Sequence, residues 1–395
     1  MLKIKIKHQT AVSDETTSDV ESSDSSLTDS DLVLRILRWF YDRLSLSEAD
    51  QKSLFEKRGL TVATIDALGF RSNPDANKEI LLEMPNHFPM TALVESGLWK
   101  VDPAKPGESP RPNPQFHGMS IAEKRDPKGR KVRDQNGEVI RECVWNHPIL
   151  IPYFSEQGEL IHLRPHKGMM AGKPPRFYVA RPRGRGAGIK AINGNNKFAI
   201  ITEGEFKAAA LWQVLGEDAE IGALPGITMA KPLIGDVEEW LEYVGVRQVV
   251  VGYDNENKED ENLPGYQREK YRRYDTHVWA LYLAHQLNRQ GFEAKFCVLP
   301  DAWRDEKGKS DWDGSLAMFT KKMGVPDGSL VAWEKVRVEV RAKFLNVIHT
   351  AMRVGEIRQL SLFDAEIGRI IRSQLDKISY EPCLPIGRQP VDTPR

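Results

Sequence analysis

The chain has 395 residues, equal numbers of basic and acidic residues (56 of each) and 40% hydrophobic residues. That length allows two or three domains with cores of their own. The zero net charge gives no overall attraction to nucleic acid, so any such binding depends on local patches. No stretch approaches the ~20 apolar residues of a membrane span, and no secretory cleavage pattern follows the N-terminus. We therefore expect a cytoplasmic protein without a membrane partner.

The cysteines and the N-terminal segment set two further expectations. Cys143, Cys297 and Cys383 lie far apart, without any CxxC pair, so no zinc is expected. Residues 1–31 are predicted to be a disordered acidic, Ser-rich tail. From Val12 to Asp31 the chain holds seven acidic residues, seven serines and no Lys or Arg, and such a composition cannot bury enough apolar surface to order itself.

Residues 32–138 are predicted to be a helical region that includes a Pro-rich loop. LVLRILRWFYDRL has apolar residues at helical spacing, LSEADQKSLFEKRG begins with Ser47 as an N-cap, and LTVATIDALGF is a third, shorter helix. Residues 101–116 contain five prolines and are expected to form the loop.

Strand patterns begin at about residue 139. ILIPYF and ELIHLRP flank SEQG and predict a hairpin within a β-rich segment, residues 139–197. That segment ends in a basic connector rich in Gly, Pro and Arg. Residues 198–325 alternate apolar strands with amphipathic helices, which predicts a mainly parallel α/β sheet between helices. Residues 326–395 are expected to hold one or two helices and a Pro-rich end.

Acidic residues follow three of the predicted strands in the α/β segment. FAIIT is followed by Glu203, Gly204 and Glu205, where the glycine is expected to let the backbone turn sharply. QVVVGY is followed by Asp254 and Glu256. Asp311 and Asp313 follow the fourth strand and are expected in a loop, GKSDWDG. Carboxyl ends of parallel strands meet at one edge of a sheet. Converging carboxylates repel one another unless a cation compensates them, and oxygen ligands suit Mg²⁺ or Mn²⁺.

Each motif in this region, taken alone, is weak evidence for a functional site. A glutamate at a strand end is more often an exposed residue that favours the dipole of the following helix. Gly308-Lys309-Ser310 looks like the end of a P-loop, but Trp303 occupies the position of the first glycine that a P-loop requires. No ATPase motif is therefore assigned.

The order strand-Glu-Gly, strand-Gly, strand-Asp-x-acid resembles the TOPRIM fold of bacterial primases, topoisomerases and some nucleases. TEGEFKAAAL and ALPGI are similar to segments of TOPRIM replication proteins of plasmids and phages. Upstream, PILIPYFSEQGELIHLRPHKG and PRFYVARP resemble the hairpin and basic, aromatic strand that precede TOPRIM in bacterial primases. Two departures are Glu256, where the family has a second Asp, and a helical region in place of the N-terminal zinc module.

The resemblance implies a site and partners. It makes Glu203, Asp254 and Glu256 catalytic residues and Mg²⁺ or Mn²⁺ ligands. The position of Asp311 and Asp313 after the fourth strand adds these two residues as expected metal ligands. It implies that single-stranded DNA and nucleotides are bound, and it leaves a separate replicative helicase open as a further partner. The insertion 257–275 combines basic and tyrosine side chains that suit a nucleic-acid strand, although its acidic residues fit a solvated loop equally well. The residues expected at phosphate or nucleic acid are Gly204, Lys207, Arg164, Lys167, Arg176, Arg181, Arg268, Arg272 and Arg273.

The function implied is that of a primase-like nucleotidyltransferase of a mobile element, a plasmid or a phage, which synthesises RNA primers on single-stranded DNA. Two alternatives stay open at this point. A TOPRIM nuclease would use the same acids, so the acids do not separate it from a primase. An inactive, DNA-binding replication accessory protein is the third class, because Glu256 departs from the family pattern.

Overall fold

The computed structural model describes fifteen stretches of the chain. They are residues 29–72, 77–102, 111–114, 119–123, 126, 130–135, 137, 139, 141–145, 149–166, 176–183, 198–256, 276–305, 309–325 and 329–353. Most of the predicted acidic tail, the basic connector, the insertion 257–275 and the Pro-rich C-terminal end lie outside these residues. Among the helices described, none has the length and apolar character needed to cross a bilayer.

The predicted helical region is mainly helical up to Ser96, whereas its later described residues form strands. The helices of the whole chain, within the described ranges, are Asp29–Tyr41 (α1), Glu48–Arg58 (α2), Val62–Leu68 (α3), Asn77–Glu83 (α4), Met90–Ser96 (α5), Glu205–Leu215 (α6), Ile234–Tyr243 (α7), Thr276–Arg289 (α8), Trp312–Lys322 (α9) and Leu330–His349 (α10). Ser47 caps α2 as predicted, because its side chain accepts a hydrogen bond from the backbone N–H of Asp50. Helix α1 begins at Asp29, slightly earlier than predicted, so it includes the last residues of the acidic tail.

Strands form several sheets. In the described ranges they are Arg71–Ser72 (β1), Trp99–Asp102 (β2), Arg111–Pro114 (β3), Met119–Glu123 (β4), Arg141–Trp145 (β5), Ile149–Phe154 (β6), Leu160–Pro165 (β7), Tyr178–Val179 (β8), Phe198–Glu203 (β9), Ala219–Leu224 (β10), Gln248–Val251 (β11), Asn255–Glu256 (β12), Glu293–Phe296 (β13), Lys309–Ser310 (β14) and Met352–Arg353 (β15). The predicted hairpin is confirmed, since β6 and β7 pair antiparallel.

The prediction of a loop over residues 101–116 was wrong at both of its described ends. Strands β2 and β3 pair antiparallel, with Trp99 opposite Pro114 and Asp102 opposite Arg111. A two-stranded ribbon has only edge strands, and an edge strand tolerates proline because part of its N–H groups need no partner. Strand β4, which pairs with β5, was also missed within the region predicted to be helical.

The predicted mainly parallel sheet is confirmed. Its six strands lie in the order β15-β13-β11-β9-β10-β8. The four inner strands are parallel to one another, and the short edge strands β8 and β15 run antiparallel to their neighbours. Strand β9 is central and has buried residues on both faces, which explains its continuous apolar run.

Helices cover both faces of this sheet. Ile200 and Val250 point into a hydrophobic cluster shared with α6, α9 and α10. Ala199, Ile201 and Val249 point to the opposite face, into a cluster shared with α7 and α8. The first cluster also takes in Leu54 of α2, Ile65 of α3 and Ile151 of β6. Helices α2 and α3 and the hairpin therefore pack against the same core as the sheet, while the predicted domain boundaries remain a prediction.

Gly59 ends α2 where that helix meets α9. Its backbone is left-handed, with φ of 69°, and a Cβ atom at this position would lie 2.6 Å from the backbone nitrogen of Ala317. Both the backbone conformation and the contact with α9 therefore require glycine.

We expect Gly59→Ala to lower the free energy of unfolding by about 3 kcal/mol, because left-handed strain and overpacking add. Gly245→Ala is the matched control. Gly245 has the same φ of 69°, and a Cβ there meets nothing within 4 Å, so we expect a loss of only about 1 kcal/mol. Urea denaturation followed by tryptophan fluorescence measures both values. Equal losses in the two variants would contradict the close packing of α2 on α9.

Candidate active site

The turn between β9 and α6 carries the first acidic residue. Glu203 ends β9, and α6 begins at Glu205. Gly204 between them has φ of 79° and ψ of 140°, and its backbone N–H donates to the carbonyl oxygen of Leu224 over 2.7 Å. Only glycine adopts this conformation without strain, so the sharp turn predicted from Glu203-Gly204 is confirmed.

Asp254 reaches the same edge from the neighbouring strand. Val251 of β11 pairs in parallel register with Ile201 of β9, so the residues after each strand emerge side by side. The Asp254 side chain is 0% exposed. Lys207 is in the first turn of α6. Its Nζ lies 3.3 Å from Glu203 Oε1 and 3.1 Å from Asp254 Oδ2. The structure therefore brings Glu203 and Asp254 together, as the sequence predicted, and places Lys207 in contact with both.

The acids of the GKSDWDG segment join this group, although not in a loop. Asp311 is the N-cap of α9 and accepts a hydrogen bond from the backbone N–H of Gly314. Asp313 lies in the first turn of α9 and is buried. The prediction of a loop was wrong because the capping side chain starts a helix directly at Trp312, whose side chain is buried in the core.

Two cations that sequence reasoning missed complete the cluster. Lys309 Nζ lies 2.7 Å from Asp254 Oδ2 and 3.3 Å from Asp311 Oδ2. Arg58 Nη1, at the end of α2, lies 2.5 Å from Asp313 Oδ2. Arg58 is far from Asp313 in the sequence, so no local pattern links them. Lys309 belongs to the segment that looked like the end of a P-loop.

Burial and charge shift the ionisation of these groups. Burial acts to raise the pKa of Glu203, but the Lys207 ammonium and neighbouring groups outweigh it and lower the pKa. Burial raises the pKa of Asp254, because Lys207 offsets it only in part and Glu203 adds to the rise. Burial acts to raise the pKa of Asp313 as well, and Arg58 and Lys207 reverse its effect, so that this pKa is lowered. Glu203 and Asp313 thus depend on their neighbouring cations to stay ionised, whereas burial raises the pKa of Asp254 to about 8.

The donor set fits a hard cation. Asp254 Oδ1 is buried and has no hydrogen-bond partner among the described residues, and a buried carboxylate oxygen is costly unless a partner or a cation meets it. Within the described part of the chain, however, no three His, Cys, Asp or Glu side chains are grouped as metal ligands. Lys207 and Lys309 lie against the oxygens instead. Glu256 follows in β12, where its backbone pairs with Lys309.

The basic residues predicted along the nucleic-acid path have different surroundings. Arg164 of β7 is largely buried and donates to Glu205, and its Nη2 donates to the Pro225 carbonyl oxygen over 3.2 Å. Arg181 pairs with Glu156 over 2.7 Å. Arg176 is exposed. Lys167, Arg268, Arg272 and Arg273 lie outside the described residues.

Tyr153 and Glu205 form a contact that was not predicted. The hydroxyl of Tyr153 in β6 donates to Glu205 Oε1 over 2.6 Å, and the same oxygen accepts from Arg164. Glu205 is buried, and one residue from each strand of the hairpin donates a hydrogen bond to its carboxylate. This contact fixes the hairpin against the start of α6, beside the Glu203-Gly204 turn.

No family model and no curated protein matches this sequence. Similar solved structures include bacterial primases. The zinc-binding and RNA polymerase domains of Aquifex aeolicus primase are 14% identical with a TM-score of 0.47, over 90% of this chain and 70% of that chain. The RNA polymerase domain of Mycobacterium tuberculosis primase DnaG is 12% identical with a TM-score of 0.44, over 91% and 95%. A primase domain from Pseudomonas aeruginosa is 14% identical with a TM-score of 0.43, over 84% and 83%. At these sequence identities and TM-scores, the structural likeness does not identify a function for this chain.

The Arg58–Asp313 pair is open to a direct test. We expect Arg58→Met to lower the free energy of unfolding by about 3 kcal/mol, because it leaves the buried Asp313 carboxylate without its cation. Adding Asp313→Asn to Arg58→Met restores part of that loss, because no buried charge then remains unpaired. Denaturant unfolding of the two single variants and the double variant measures the coupling.

The control for this cycle is Arg337→Met. Arg337 pairs with Glu217 over 2.7 Å, but the Glu217 side chain is largely exposed, so solvent screens the pair and we expect a loss of no more than about 1 kcal/mol. A loss at Arg58 that is as small as the loss at Arg337 would show that Asp313 does not depend on this contact.

Proposed function

We propose that residues 198–325 are a TOPRIM domain and that the protein is a primase-like nucleotidyltransferase that makes RNA primers on single-stranded DNA. One observation carries the proposal. Glu203 and Asp254 follow two adjacent parallel strands, share the Lys207 ammonium, and include a buried carboxylate oxygen without a hydrogen-bond partner in the described structure. These are two of the three positions, with Glu256, that the sequence resemblance makes catalytic.

Glu203, Asp254 and Glu256 would hold Mg²⁺ or Mn²⁺ at this edge. When bound, the ion supplies positive charge for the triphosphate and for the oxygens of the reacting phosphate. Asp311 and Asp313 surround the same position. Asp311 caps α9 and Asp313 pairs with Arg58, so we propose that both add negative charge next to the bound ion. Their direct ligation of the ion is a further part of the proposal.

The chain's own cations would contact the substrate phosphates. Lys207 is held between Glu203 and Asp254 and offsets negative charge as phosphate approaches. Gly204 leaves open space for a phosphate, since a Cβ there would meet only Lys207 Nζ at 3.6 Å.

Single-stranded DNA would be bound beside this edge. The exposed Arg176, next to β8, supports the proposal, as do Lys167 and the basic residues of the 257–275 insertion by their sequence. We also assign Arg164 and Arg181 to the binding path of the DNA strand. They would keep their ion pairs with Glu205 and Glu156 there. The similarity of TEGEFKAAAL and ALPGI to plasmid and phage segments supports replication of a mobile element as the setting.

The test is incubation with fluorescently labelled single-stranded DNA, four ribonucleotides of which one is radiolabelled, and Mg²⁺ or Mn²⁺. We expect new short radiolabelled strands on a denaturing gel and no shortening of the fluorescent strand. Asp254→Asn should reduce these products by about a hundredfold or more, since the site loses a charge at the reacting phosphate.

The matched control is Asp236→Asn, an exposed carboxylate in the first turn of α7, which should leave the products unchanged. Shortening of the fluorescent strand that is lost in Asp254→Asn would establish a nuclease instead. A shift of the DNA on a native gel with neither product would establish an accessory protein.

A further inference from the structure

Lys309 is placed against the candidate site by a short ribbon. Strands β12 and β14 pair antiparallel, with Asn255 opposite Ser310 and Glu256 opposite Lys309. The side-chain amide of Asn255 donates to the Leu299 carbonyl oxygen over 2.7 Å, which ties the ribbon to the chain beyond β13. Lys309 is thereby brought to Asp254, with its Nζ 2.7 Å from Oδ2.

The backbone that carries the Asp254 carboxylate is held by two side chains. The carbonyl oxygen of Asp254 accepts a hydrogen bond from Thr276 Oγ1 over 2.8 Å, and Trp312 Nε1 donates to the Gly252 carbonyl oxygen over 2.9 Å. Asp254 itself is fully buried. These contacts fix the backbone position from which the Asp254 carboxylate meets the two lysines.

The two lysines at Asp254 Oδ2 differ in freedom. Lys207 rises from the first turn of α6, is 13% exposed and contacts both Glu203 and Asp254. Lys309 is 31% exposed and contacts Asp254 and Asp311. A lysine carries a flexible four-carbon stem with a strongly hydrated ammonium group. Of the two lysines, Lys309 is therefore the one with readier access to solvent or to another anion.

A divalent ion at Asp254 would lie beside the Lys309 ammonium and be repelled by it. The same ion would pair with the Asp254 carboxylate and release the Lys309 ammonium. The released ammonium would keep its positive charge and lie close to the position where a triphosphate contacts the ion. Both steps follow from Coulomb's law at short distance in a partly buried site.

We propose that Lys309 is an internal counter-cation that occupies the Asp254 carboxylate until a divalent ion displaces it, and that it then pairs with the phosphates of the bound nucleotide. This inference rests on the proposed function, because it assumes that Glu203 and Asp254 hold the ion. It gives a role to the lysine of the GKS segment, which the sequence excluded from a P-loop.

The first experiment measures binding of Mn²⁺ alone to the full-length protein by isothermal titration calorimetry. Lys309→Gln should bind Mn²⁺ about fivefold more tightly than the natural protein, as expected from loss of one partly exposed ion pair. Lys309→Arg keeps the charge and should bind as the natural protein does. Lys322→Gln, an exposed lysine in the last turn of α9, removes the same charge at a distance and should have no effect.

The second experiment measures binding of ATP in the presence of saturating Mg²⁺. Lys309→Gln should bind ATP about fivefold more weakly, because one phosphate contact is lost, while Lys309→Arg should restore most of the affinity. The opposite signs for Mn²⁺ and ATP distinguish this role from a structural one, since a damaged site would bind both ligands more weakly.

The outcomes separate this inference from the proposed function. Mn²⁺ binding that is abolished by Asp254→Asn but unchanged or weakened by Lys309→Gln, in a protein with a normal unfolding transition, overturns the role of Lys309 alone. Mn²⁺ binding that is absent from the natural protein, or that survives Asp254→Asn, overturns the metal site and the role of Lys309 with it. Tighter Mn²⁺ and weaker ATP binding in Lys309→Gln together support the proposal.

Discussion

Compensation of negative charge at the carboxyl end of the parallel sheet is the constraint on which the rest of the structure depends. Glu203, Asp254, Asp311 and Asp313 converge there, and like charges in a buried place repel strongly. Lys207, Lys309 and Arg58 lie among them at 2.5–3.3 Å. Each cation comes from a different element, so the charge balance holds α6, β14 and α2 to one edge.

That balance connects the N-terminal helices to the site. Arg58 and Gly59 end α2, the first paired with Asp313 and the second packed against the backbone of α9. The same helices share a hydrophobic cluster with the sheet, so burial of apolar surface holds them in place and the ion pair sets their orientation. The helical region is thus part of the site, since it supplies one of its charges.

The hairpin is tied to the site by a second buried contact. Tyr153 and Arg164 both donate to Glu205 at the start of α6, and Arg164 also reaches the end of β10 through Pro225. A buried carboxylate with a cation and a neutral donor is satisfied. The second acid of the Glu-Gly-Glu turn therefore orients the hairpin, whereas the first acid faces Lys207 and Asp254.

The sequence by itself determined the parallel sheet, its helices and the meeting of Glu203 with Asp254, because period-2 and period-3.6 apolar patterns and strand-end positions are local properties. It also determined the Ser47 cap and the sharp turn at Gly204. The Asp311 cap that starts a helix at Trp312 was a local signal that the prediction of a loop overlooked. The ribbon of β2 and β3 and the partners Arg58, Lys309 and Tyr153 were decided only by the tertiary structure. Each of these depends on which distant segments pack together, and no local pattern encodes a contact between residues that are far apart in the chain.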